Sequence, residues 1–279
     1  MINEFVSLVN NILWGDGQVL IIMLLACGIW FTVKLGGVQL RHFGHMFSLL
    51  KGSNTSSKDG ISSFQALCTS LSARVGTGNL AGVAVAISLG GSGAIFWMWM
   101  IALLGMATGF AESVLGQLYK VRDENGEFRG GPAYYIKQGL NKTWLAVAFS
   151  LCLFFGYGFV FSAVQANTIT DALNNAYSFP SEYVGLAIIA LAALIVVGGL
   201  RGIARFAEFV VPFMGIGYVL VALAITFINI SELPAMLLDI VKSAFGLQEA
   251  GAGALGAAIK NGIQRGLYSN EAGSGSVPH

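Results

Sequence analysis

Charge is what this chain has least of. Lys, Arg, Asp and Glu make up 10% of its 279 residues, against roughly 25% in soluble domains. With 55% hydrophobic residues and a mean hydropathy of +0.72, the sequence is that of an integral membrane protein. The net charge of +1 gives no polyelectrolyte surface. The basic residues are not interleaved with exposed aromatics, which argues against a nucleic-acid partner. Cysteine is scarce too: Cys27, Cys68 and Cys152 lie in apolar segments, at spacings that fit neither a zinc site nor a disulfide framework. They read as small buried hydrophobes. The three histidines, His42, His45 and His279, have no neighbours suggesting acid–base or metal chemistry, so no catalytic constellation exists and the chain does not read as an enzyme. Gly130-Gly-Pro132 reads as a rigid turn without a nucleotide-cradling pattern after a strand, so no nucleotide site is expected. No basic residue precedes the first apolar run, which is not the form of a cleaved signal peptide.

What is present is a series of apolar runs near the ~20 residues a helix needs to cross hydrocarbon. Spans are expected over 19–33, 62–89, 94–119, 144–169, 183–200 and 206–228, and a seventh begins over 251–266. The loops alternate in charge. Lys34, Arg41, Lys51 and Lys58 lie between spans one and two. Lys120, Arg122, Arg129, Lys137 and Lys142 lie between three and four, and Arg201 and Arg205 between five and six. The opposite side holds Lys242 with Glu4, Asp16, Asp171, Glu182, Glu232, Asp239 and Glu249. By the positive-inside rule the three basic loops are expected in the cytoplasm and the N-terminus outside. Two short mixed segments, 38–50 and 233–245, have the look of surface helices ahead of a span. Glu208 reads as an interfacial charge near Arg201 and Arg205.

The second span is interrupted. The run Ser72-Ala-Arg-Val-Gly-Thr-Gly-Asn-Leu-Ala-Gly82 places polar residues and three glycines where a lipid-embedded helix is expected. Irregular backbone at membrane depth is tolerated only where it lines a cavity or is buried in protein. Gly76 and Gly78 supply the conformational freedom for an unwound turn. Freed N–H and C=O groups there can hold a carboxylate or a sodium ion, as at the substrate sites of secondary transporters. The run has a counterpart in Arg265-Gly-Leu-Tyr-Ser-Asn-Glu-Ala-Gly273, which matches Arg74, Asn79, Ala81 and Gly82 at the same offsets. The first motif enters from the basic side and the second from the opposite side, the pattern of an inverted-topology repeat. If the second repeat matches the first in length, about 140 residues would follow His279. The reading is therefore of the N-terminal part of a larger transporter, organised as 1–60, an extra helix and surface segment; 61–230, a first five-helix repeat; and 231–279, the start of a second.

Four motifs, in order, carry a resemblance to a known family. They are Gly76-Thr-Gly-Asn-Leu-Ala-Gly82, Gly93-Ala-Ile-Phe-Trp-Met-Trp99, Gly130-Gly-Pro-Ala-Tyr-Tyr135 and Gly266-Leu-Tyr-Ser-Asn-Glu-Ala-Gly-Ser-Gly275. Over residues from about 15 to the end, the chain resembles the alanine/glycine:cation symporter (sodium:alanine symporter) family. The resemblance implies a prokaryotic inner-membrane carrier taking up alanine or glycine with sodium, sometimes protons, and no other cofactor. It also implies an all-α fold like that of the leucine transporter: two inverted five-helix repeats, preceded here by one extra helix, with the second repeat truncated.

For the substrate, the residues point to Gly76, Thr77, Gly78 and Asn79 at the first break and Ser269, Asn270 and Gly273 at the second. A half-helix starting near Asn79 would present its N-terminus to a carboxylate. The second break is expected to meet the ammonium end and side chain. Thr77 is also a possible sodium ligand. Gln165 and Asn167, on the fourth span, lie about 200° apart around a helix, so one at most faces the site, and Gln165 is the choice. Arg74, Glu112, Arg265 and Glu271 are intramembrane charges, expected to form ion pairs that hold or gate the broken helices. The competing readings are a packing notch of small residues, interhelical hydrogen bonding by Gln165, a channel filter, another small-solute carrier of the same fold, and an inactive fragment.

Overall fold

The computed structural model describes residues 2–15, 18–51, 61–124, 126, 128–247 and 252–277. Asp16, Lys58, Glu249, Gly251 and His279, which entered the charge and span expectations, lie outside these residues. In chain order the helices are α1 Ile2–Leu13, α2 Val19–Lys34, α3 Val38–Arg41, α4 Phe43–Lys51, α5 Ser63–Arg74, α6 Thr77–Gly90 and α7 Gly93–Leu118. Strands β1 Val121–Arg122 and β2 Phe128–Arg129 follow. Then come α8 Pro132–Gly139, α9 Thr143–Phe155, a π-helix Gly156–Phe161, α10 Ser162–Tyr177, α11 Ser181–Val196, α12 Gly199–Ile228, α13 Leu233–Ala244 and α14 Ala252–Asn270. The described chain is all but wholly helical. That is what a membrane imposes, since a helix satisfies its backbone within the segment.

Among the described residues, three stretches are long and apolar enough to span: Gly93–Leu118, Thr143–Tyr177 and Gly202–Ile228. Val19–Lys34 and Ser181–Val196 are shorter apolar helices. The second expected span appears as two short helices, α5 and α6, because the break divides it. The apolar side chains of α9 to α12 point outward, Phe154, Leu194, Phe209 and Phe213 among them. Such a surface is at home in hydrocarbon, not in water.

The chain divides into two compact units. One comprises Met1–His45, Gly78–Leu115 and Ile228–His279; the other comprises Met46–Thr77 and Gly116–Phe227. The division falls between Thr77 and Gly78, in the first turn of α6.

In the first unit α14 runs beside both α6 and α7. Ile21, Ile101, Ile263 and Leu267 form a buried cluster, with Trp14 and Trp97 packed against it. A second cluster joins Ala86, Ala94 and Met98. The helices approach closely because glycines line the contacts. A Cβ on Gly262 would lie 2.5 Å from the Ala94 carbonyl oxygen, and one on Gly266 would lie 3.2 Å from the Met98 Cα. On α6 the buried residues are Gly78, Gly82, Ala86 and Gly90, a stripe at every fourth position that lets backbones approach. The start of α7 is held by α13: Ser92 Oγ donates to Asp239 (2.7 Å) and Trp97 Nε1 donates to the Ala244 carbonyl (3.1 Å).

In the second unit α5 packs on α12 through Cys68, Ala207 and Val211. The basic loop between α7 and α8 folds as a hairpin, with Val121 opposite Arg129 and Arg122 opposite Phe128. Gly130 is required there, since a Cβ would lie 2.8 Å from the Gly116 carbonyl oxygen. Gly131 takes a positive φ of 94° ahead of Pro132, which opens α8. A rigid turn is thus what the Gly-Gly-Pro sequence builds.

Candidate functional site

The first break begins with a well-started helix. Ser62 caps α5 in a reciprocal pair: its hydroxyl accepts from the Gln65 amide (3.1 Å), and its own amide donates to Gln65 Oε1 (3.0 Å). The Gln65 side chain has a second bond, donating through Nε2 to Glu208 Oε2 on α12 at 2.8 Å. Glu208 therefore faces α5, where the sequence suggests an interfacial charge. Helix α5 stops at Arg74, and Val75 is extended, with φ −83° and ψ 90°. The last carbonyls of α5 and the first amides of α6 are released from helical partners there. The helix resumes at Thr77, slightly earlier than the start near Asn79 read from sequence.

Gln165 on α10 meets this break. Its Oε1 accepts from the Thr77 amide at 3.4 Å. A Cβ on Gly76 would lie 2.7 Å from Gln165 Nε2, so glycine is what lets the amide approach the backbone. Asn167 turns away and donates to Asp171 at 2.9 Å. Ahead of α10 lies the π-helix, an irregularity that often marks functional sites. Its wider turn frees the Tyr157 carbonyl to accept from Ser162 Oγ (3.0 Å). Tyr157 and Phe161 stack with ring centroids 4.6 Å apart. Neither aromatic carries a site assignment from the sequence. Gly156 and Gly158, neither of which contacts anything at its Cβ position, are the only visible signal.

The other site residues fall in the first unit. Ser269 Oγ donates to Asn79 Oδ1. A Cβ on Gly78 would lie 3.2 Å from the Ser269 Cα. The N-terminal end of α6 is therefore seated directly on the last turn of α14. The Ser269–Asn79 bond was not anticipated, though both residues were singled out.

Helix α14 runs through Arg265 and ends at Asn270, so its motif breaks about one turn later than the first does. The reason is visible in the sequence: Leu267 and Ser269 stand where the first motif has Gly76 and Gly78, and neither releases the helix. The chain then turns through Glu271 (φ 54°), Gly273 (φ 92°) and Gly275 (φ 81°). Ser276 Oγ donates to Glu271 Oε2 at 2.8 Å. A Cβ on Gly273 would lie 2.5 Å from Leu24 Cδ2, which fixes that glycine to α2. Asn270 Nδ2 and Arg265 Nε are buried without hydrogen-bond partners among the described residues. A buried orphan donor costs about 1–3 kcal/mol, so the Asn270 amide is a donor waiting for an acceptor. Among the described residues Arg265 and Glu271 make no ion pair with each other. Glu112 is buried on α7, 8% exposed. No cluster of three His, Cys, Asp or Glu side chains that could hold a metal is found among the described residues.

A family model described as the sodium:alanine symporter family matches residues 1–279. The chain is similar to an uncharacterized transporter, YaaJ, of Escherichia coli, with 49% identity over 99% of this chain and 58% of that protein. It is similar to the probable sodium/glutamine symporter GlnT of Bacillus subtilis, with 47% identity over 100% of this chain and 58% of that protein. It is also similar to the sodium/alanine symporter AgcS of Methanococcus maripaludis, with 40% identity over 99% of this chain and 62% of that protein. The chain thus spans about three fifths of the length of these relatives.

Proposed function

The chain belongs to the sodium:alanine symporter family, and from that premise we propose that it forms the N-terminal part of a secondary active transporter that takes up alanine or glycine with sodium. It is a membrane protein of the transporter class and not an enzyme. The repeat reading, with 61–230 as a first five-helix repeat and 231–279 opening an inverted second in a leucine-transporter-like fold, belongs to the same proposal. So does a prokaryotic inner-membrane placement with the N-terminus outside and the basic loops in the cytoplasm.

The observation that carries the reading is the Gly76–Thr77 break with Gln165 seated on it. Unwound backbone in a membrane helix is retained where it binds something. The N-terminal amides of α6 suit a carboxylate, and the terminal carbonyls of α5 suit a cation. Thr77 is assigned as a sodium ligand through its hydroxyl. In the first unit Gly78, Asn79, Ser269, Asn270 and Gly273 are assigned to the substrate on their own geometry. The Asn79 and Ser269 oxygens suit an ammonium group. The spare Asn270 donor suits a substrate oxygen, beside the ammonium and side-chain contacts expected of this break. Arg74, Glu112, Arg265 and Glu271 are assigned to holding or switching the breaks.

A second reading is supported by the similarity to a sodium/glutamine symporter: a larger amide-bearing substrate at the same residues. Uptake of radiolabelled alanine into proteoliposomes with an inward sodium gradient separates the two. We expect accumulation that needs sodium and is inhibited by glycine more than by glutamine. Stronger inhibition by glutamine supports the second reading, and accumulation indifferent to sodium overturns both.

A further inference from the structure

The segment after the first apolar helix carries an asymmetry that transport does not explain. From residue 17 through residue 58 the sequence holds no Asp or Glu, yet it contains Lys34, Arg41, Lys51 and Lys58 together with His42 and His45. At the end of α2 two successive glycines, Gly36 and Gly37, take positive φ values of 60° and 66°. L-residues with side chains avoid that backbone, and here it turns the chain out of α2 into α3 and α4. The turn is fixed on its inner side. Gln39 is buried, and its Nε2 donates to Thr32 Oγ1 (3.1 Å), which itself donates to the Gly28 carbonyl (2.7 Å). Lys34 is held at the same level, with its ammonium 5.0 Å from the Trp30 ring centroid.

What leaves this turn is amphipathic. Leu40, Phe43 and Phe47 recur at helical spacing and are 72%, 55% and 59% exposed. Arg41, His45 and Ser48 recur on the other side and are exposed as well. An exposed apolar strip of this kind, attached to an apolar helix in a segment without carboxylates, matches the boundary between acyl chains and anionic headgroups. Helix α1, at the other end of α2, has the same amphipathic form but one carboxylate, Glu4, and no basic residue, so the cationic bias belongs to the α3–α4 segment.

We propose that α3–α4 is an anionic-lipid-binding hook: Leu40, Phe43, Met46 and Phe47 enter the acyl boundary, and Lys34 and Arg41 bind phospholipid headgroups carrying negative charge. The occupant is the bilayer itself. Charge complementarity and continuity with the membrane-embedded α2 select it over a protein partner.

The test uses the full chain with Cys27, Cys68 and Cys152 replaced by alanine, reconstituted in phosphatidylcholine vesicles with or without phosphatidylglycerol. Spin labels are placed singly at Met46→Cys and Ser48→Cys. We expect the label at 46 to be relaxed mainly by oxygen and the label at 48 mainly by an aqueous nickel chelate. In parallel, association of spin-labelled phosphatidylglycerol is compared with that of phosphatidylcholine. Lys34→Gln and Arg41→Gln are each expected to lower the preference for phosphatidylglycerol about fivefold. The proposal is overturned if the chelate reaches both labels equally, if the label at 46 is shielded from both reagents by protein, or if the double charge variant keeps the full lipid preference. The labels leave Lys34 and Arg41 intact, so the depth result stands even if the charge variants misfold.

Discussion

At the scale of single residues, glycine does two different jobs in this chain. At Gly76 an added Cβ meets the tip of a flexible side chain, Gln165 Nε2 at 2.7 Å. At Gly262 it meets fixed atoms, the Ala94 carbonyl oxygen at 2.5 Å and Trp97 Cβ at 2.7 Å. The two substitutions are therefore expected to separate. Gly76→Ala displaces the Gln165 amide and loses its bond to Thr77, so alanine binding weakens about fivefold to tenfold with little change in melting temperature. Gly262→Ala forces α14 and α7 apart and destabilises the protein by about 1–3 kcal/mol. Thermal unfolding in detergent and ligand binding, measured on both variants, check the contrast; a reversed order would remove Gly76 from the site. The sequence made Gly76 readable because Thr77 and Asn79 accompany it in an apolar span. Gly262, between Asn261 and Ile263, gives no such sign.

At the scale of elements, the link between α5 and α12 is the polar contact most open to measurement. Gln65 both caps its own helix and donates to Glu208 at 2.8 Å. A hydrogen bond to a charged group contributes roughly 1.5–3 kcal/mol. In a double-mutant cycle with Gln65→Leu and Glu208→Leu, a coupling of about 1–2 kcal/mol is expected. A value near zero would mean that α5 is held by Cys68, Ala207 and Val211 alone. The capping half of this arrangement was legible, as a Ser followed three residues later by Gln. The second bond was not, because it depends on which face of α12 meets α5. The break at Val75–Gly76 was legible as two glycines close together inside an apolar run. The later end of α14 was hidden by the match of Arg265 to Arg74, although Leu267 and Ser269 in place of glycines were there to be weighed. The π-helix before Gln165 left only Gly156 and Gly158 as a sign, since a one-residue widening of a helix changes no hydrophobic period.

At the scale of the whole molecule, hydropathy alone established a helical membrane protein, and alternating loop charge supplied the expected orientation. Membership of the sodium:alanine symporter family agrees with the motifs around both breaks. Burial adds what composition cannot: α14 is packed between the small-residue stripe of α6 and the glycine-facing side of α7, whereas the surfaces of α9 to α12 are left apolar and exposed. The account's central claim is that the break at Gly76–Thr77, with Gln165 upon it, binds a small amino acid together with sodium. Equilibrium binding of radiolabelled alanine to the purified protein, with sodium or with choline, in wild type and in Gln165→Ala, tests it most directly. The account predicts saturable binding that requires sodium and falls about tenfold or more in Gln165→Ala. Undiminished, sodium-dependent binding by Gln165→Ala would contradict it.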